Sequence, residues 1–88
     1  MAIATQADTL HITSVHPEQD WLVVDMSDGR RLSTPISWYP RLARASQQQR
    51  ENWRLIGGGE GIHWPELDED LSLAGMLLGR KPPPASHP

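Results

Sequence analysis

Four glycines within five positions, Gly57, Gly58, Gly59 and Gly61 with Glu60 between them, are the first candidates for chemistry. Glycine-rich loops can turn backbone N–H donors onto a phosphate. Such loops normally open straight into a helix, often with Lys and Ser or Thr. Here the strand-like Gly61-Ile62-His63-Trp64 follows, and Glu60 repels an anion. A hairpin tip with close backbone approach fits better. Nucleotide or phosphate binding, or a small enzyme using the Gly57–Gly61 loop and His63, is the alternative reading. Of the four histidines, His11 and His16 sit five apart on a presumed strand and His63 stands alone. Without cysteine or a histidine pair at ligand spacing, no metal site is expected. Ser14, Ser33 or Ser37 with His63 make a nucleophile and base only on paper. A short chain also has little room for a cavity of ~300–1,000 Å3. We therefore expect no catalytic, cofactor or metal residues.

The aromatic residues are Trp21, Trp38, Tyr39, Trp53 and Trp64, with no Phe. Most should supply core volume. Trp38 beside Tyr39 reads instead as an exposed anchor. Arg41, Arg44 and Arg50 would form a cationic rim around it, the composition of a partner interface. Arg41 and Arg44 lie three apart, so one side of a helix carries both. The competing reading pairs these arginines with the chain's own Asp68–Asp70 segment.

Positioning these groups requires a scaffold. His11 to His16 alternates in part, and Leu10 and Ile12 share a face. Trp21–Met26 aligns Leu22, Val24 and Met26 on one side. Asp28-Gly29 supplies a tight turn, and Arg30–Thr34 follows as a third strand. Ser37 is expected to cap a helical turn containing Pro40, with Leu42 inward. Ser46 and Gln49 form a capping box that opens a polar helix running to about Trp53. Arg54–Ile56 and Gly61–Trp64 make a hairpin around the glycines, and residues 67–71 read as an acidic loop. Ser72 caps a last helix, Leu73–Leu78, closed by Gly79. The predicted class is α+β: a three-stranded antiparallel meander, short helices, a β-hairpin and a short C-terminal helix. Residues 1–9 read as a lead-in, 10–79 as one domain, and 80–88 as a proline-rich disordered tail.

Eighty-eight residues with a net charge of -3 fit one small domain and argue against a generic nucleic-acid coat protein. No run approaches the ~20 apolar residues of a membrane span, and the first ten residues lack a signal-peptide pattern. A cytoplasmic location is expected.

Trp38–Leu42, Gln49-Arg50-Glu51-Asn52-Trp53 and the run from Arg54 through Gly57, Gly58, Gly59, Gly61, His63 and Trp64 to Asp68, Asp70 and Ser72 resemble the bacterial domain-of-unknown-function 2442 family. The Asp28-Gly29-Arg30 turn and Leu32 match as well, so the resemblance spans about residues 10–79. It implies a small α+β domain. It also implies an antitoxin-like or regulator-associated role, with a small partner of the domain-of-unknown-function 4160 family. No helix-turn-helix accompanies this chain, which argues against direct DNA reading, and self-association stays open. Asn52 and His63, near two tryptophans, are expected to be buried and bonded to the loop backbone.

Overall fold

Period-2 alternation builds the first sheet. In the computed structural model, which describes residues 9–79, β1 (Ile12–Pro17), β2 (Trp21–Met26) and β3 (Arg31–Pro35) pair antiparallel in the order β1-β2-β3. The expected lead-in, apart from Thr9, and the tail from Arg80 lie outside the described residues. β2 turns Leu22, Val24 and Met26 into the core as their spacing requires. Gly29, with φ 93°, makes the β2–β3 turn and donates its N–H to the Met26 carbonyl at 2.9 Å. In β1 the register slips between Ile12 and Ser14. That bulge lets Ile12 and Val15, three apart, both face the core.

A 3-10 turn (Ile36–Trp38) leads into α1 (Pro40–Ala43). Ser37 does not cap it. The N-cap is Tyr39, which gives no side-chain bond, and Pro40 fixes the first helical position instead. α2 (Gln47–Glu51) carries the capping box from Ser46 and Gln49, and it stops two residues short of Trp53.

The second sheet holds β4 (Arg54–Ile56), β5 (Gly61–Trp64) and β6 (Glu69–Ser72), antiparallel in that order. The expected acidic loop is thus half strand. Glu69 and Leu71 point inward and Asp70 and Ser72 outward, a period-2 pattern in which one inward residue is a carboxylate. The turn before β6 holds Asp68 at φ 51°, a left-handed conformation that Asp tolerates better than most residues. α3 (Leu73–Leu77) follows at once, with the Ser72 hydroxyl accepting from the Gly75 N–H. Gly79 at φ 74° lies just beyond the helix.

The two sheets close on one core. Ile12, Val15, Leu22 and Val24 meet Ile62, Trp64 and Leu71, with Tyr39, Leu42 and Met76 filling in from the helices. The glycine loop locks the sheets together. Ile12 N–H donates to the Gly59 carbonyl at 2.8 Å, and Leu73 N–H to the Glu60 carbonyl at 2.8 Å.

Candidate functional site

The structure redistributes the expected interface. Tyr39 is fully buried, so it is no exposed anchor; its ring meets Trp38 edge-on, with centroids 6.3 Å apart. Burial raises its pKa, an effect the neighbouring Thr34 only partly offsets, although neither hydroxyl reaches a partner within normal hydrogen-bonding geometry. Arg50 is buried too and leaves the cationic rim. Its guanidinium donates to the carbonyls of Leu42 (2.9 Å), Glu18 (3.0 Å), Gln19 (3.2 Å) and Ala43 (3.3 Å). A planar five-donor fork suits several diverging carbonyls as no other side chain does. Arg41 is exposed but donates to the Asp68 carbonyl and stands 4.0 Å from the Glu69 carboxylate. Arg44 is exposed, and its side chain has no hydrogen-bond or ion-pair partner among the described residues. Trp38 stays half-buried.

The Gly79 position beside Trp38 has exposed apolar side chains close by in the chain. A side chain at Gly79 would touch the Trp38 ring at 3.9 Å, so the end of α3 lies against this indole. There Leu77 is 44% and Leu78 68% exposed. Neither leucine was singled out from sequence, because a Leu-Leu pair at a helix end reads as core.

The glycine loop does structural work. Gly57, Gly58 and Gly59 all have positive φ. A Cβ on Gly59 would stand 2.6 Å from the Ile12 carbonyl oxygen, whereas one on Gly58 would meet open space. Gly61 is pinned in the sheet, where a Cβ would lie 2.8 Å from the Leu71 carbonyl oxygen.

The solvent face of the second sheet gathers much of the remaining motif. Arg54, His63 and Asp70 occupy paired positions across its three strands. His63 Nδ1 bonds Asp70 Oδ1 at 2.5 Å. His63 is half-buried, and its partner is a carboxylate on the sheet face, contrary to the expected loop-backbone bond. Asn52 is exposed and also bonds a carboxylate, that of Glu66 at 3.0 Å. Two of the tryptophans follow the core reading, Trp64 fully buried and Trp53 packed on the core from its edge, whereas Trp21, at the start of β2, is 48% exposed. On the first sheet, Asp25 takes Arg31 Nε at 2.5 Å and His16 Nε2 at 2.8 Å; Arg31 and then His16 lower its pKa. Among the described residues no group of three or more His, Asp or Glu side chains is placed to hold a metal. Nor is any helix among them long and apolar enough to cross a membrane.

Two small antiparallel sheets locked by a glycine turn, with three short helices, define a compact α+β class of domain. Residues 12–82 match the family model described as a protein of unknown function, DUF2442, and the chain belongs to that family. A crystal structure of a protein of unknown function from Rhodospirillum rubrum is similar, with a TM-score of 0.77 and 27% identity over 90% of this chain and 98% of that one. A solution structure of an uncharacterized protein from Chromobacterium violaceum is similar at a TM-score of 0.70 and 25% identity, covering 84% and 70% of the two chains. No curated protein matches the chain.

Proposed function

We propose that this chain is a non-enzymatic interaction domain that binds a small protein partner, in the antitoxin-like role the family resemblance implies. The observation that carries the reading is Leu78, 68% exposed at the end of α3 where the chain meets Trp38. Large apolar side chains held in water beside an aromatic ring are what a protein partner removes from solvent. Arg41 and Arg44, on and just after α1, add a basic rim and favour an acidic partner surface. The test is co-expression with the product of the adjacent reading frame, the expected member of the domain-of-unknown-function 4160 family, followed by size-exclusion chromatography. Co-elution in fixed stoichiometry supports the reading, and separate elution of two folded proteins overturns it.

A second reading, a small enzyme or phosphate binder, has one observation in its favour. The His63–Asp70 pair, with Arg54 across β4, could orient an imidazole as a base. Against it, the Glu60 carboxylate crowds Gly57, at 3.0 Å from where a Cβ would sit, and repels phosphate from the loop. A thermal-shift screen with nucleotides separates the two readings, because a native-state ligand raises the midpoint.

A further inference from the structure

Two open hollows adjoin on the face where the glycine loop meets α3. The first, about 370 Å3, is lined by Ile56, Gly57, Glu60, Gly61, Asp70 and neighbours on β6. The second, about 320 Å3, is lined by Leu10, Glu60, Leu73, Ala74, Leu77 and adjoining residues. Glu60 and Ser72 line both, so the two hollows meet at these residues and are described together as a groove.

Three features distinguish this groove from an ordinary surface dent. Its ends are Ile56, 41% exposed, and Leu77, two of the large apolar side chains the fold leaves in water. Its floor is open because Gly61 has no side chain, and the 2.8 Å approach to the Leu71 carbonyl excludes one. The Glu60 carboxylate has no hydrogen-bond or ion-pair partner among the described residues. The other charged lining group, Asp70, already holds His63. The lining therefore carries negative charge and aliphatic surface, with no Lys or Arg.

We propose that this groove receives a lysine or arginine side chain of the protein partner, carried on a segment with aliphatic neighbours. The cation would pair with Glu60. Its methylene stem and the flanking apolar residues would cover Ile56 on one side and Leu77 on the other, since long basic side chains bury their stems while the charge stays near water. Charge complementarity selects this occupant over an acidic segment or a phosphate. The proposal rests on the interaction-domain reading and adds a second contact to it, continuous with Leu78 through Leu77.

The test titrates the labelled full-length chain with the capped peptide Leu-Lys-Leu and, separately, Leu-Glu-Leu, following amide resonances. The lysine peptide should shift Gly57, Gly61, Ser72 and Ala74 and bind about fivefold more tightly than the glutamate peptide. Glu60→Gln should erase that preference without moving the melting midpoint, and added salt should weaken it. Equal binding of both peptides, or shifts elsewhere on the molecule, overturns the proposal. If only the double variant Arg80→Ala/Lys81→Ala binds the peptide, the chain's own basic pair fills the groove and the partner assignment is overturned. The partner complex separates this failure from failure of the interaction reading. A complex lost by Leu78→Glu but indifferent to Glu60→Gln sinks the groove alone, whereas no complex at all sinks both.

Discussion

The indole Nε1–H of Trp64, on β5, donates to the carbonyl of Arg50 at 2.9 Å in the protein interior. Arg50 then passes the connection on, because its guanidinium holds the end of α1 and the β1–β2 turn through four carbonyls. One arginine thus ties the second sheet, the two helices and the first sheet together.

Arg50→Ala should therefore cost about 3–5 kcal/mol in urea unfolding, because hydrogen bonds to a charged group are strong and buried carbonyls lose their donor. Arg50→Lys should recover less than half of that, since an ammonium cannot span diverging acceptors. A loss below about 1 kcal/mol for Arg50→Ala would show that water replaces the guanidinium.

The glycine loop should respond position by position. Gly58→Ala, at φ 69° with open space around it, should lose about 1 kcal/mol. Gly59→Ala adds a clash with the Ile12 carbonyl and should lose clearly more, above about 2 kcal/mol. Equal losses in chemical denaturation would mean that the β1 contact yields freely.

Glu69 gives a pH signature. Burial raises its pKa above 4.5, and the attraction of Arg41 offsets this only in part. A carboxyl with a raised folded pKa favours the fold when protonated, so its contribution declines as pH rises from 4.5 through the folded value. Glu69→Gln should accordingly raise the melting midpoint at neutral pH and leave it nearly unchanged below about pH 4. A lower midpoint at neutral pH would mean that the ion pair with Arg41 outweighs burial.

Arg44 separates surface from scaffold. Arg44→Glu should leave stability within about 0.5 kcal/mol, as exposed substitutions without partners do. On the interaction reading it should nonetheless slow partner association, more so at low salt. Unchanged association kinetics at low ionic strength would remove Arg44 from the interface.

Much of the scaffold was legible because local signals agreed with the fold. Trp21–Met26, the Asp28-Gly29 turn, the Ser46–Gln49 capping box and both strands of the glycine hairpin needed only alternation and turn chemistry. β6 was hidden because Asp68-Glu69-Asp70 looks like a solvated run, and nothing local says that Glu69 turns inward. Arg50 was misplaced for a related reason. Its partners at Glu18 and Gln19 are more than thirty positions away, and an arginine in a polar helix reads as surface. His63 found a carboxylate in place of backbone, because the β5–β6 pairing that sets it opposite Asp70 depends on the strand that was missed, and Asn52 found Glu66 in the turn that leads into that strand. The exposed leucines escaped notice because exposure of an apolar residue is decided by what the tertiary fold leaves uncovered.

The central claim, that the Trp38–Leu78 surface binds a protein partner, is tested most directly by calorimetric titration. The adjacent-frame product is titrated into wild type and into Leu78→Glu, with melting curves of both in the same buffer. The account predicts saturable one-to-one binding by the wild type. It predicts at least a tenfold loss, about 1.4 kcal/mol, in the variant, with melting unchanged because Leu78 contributes little to the core. Undiminished binding by a folded Leu78→Glu chain would contradict it.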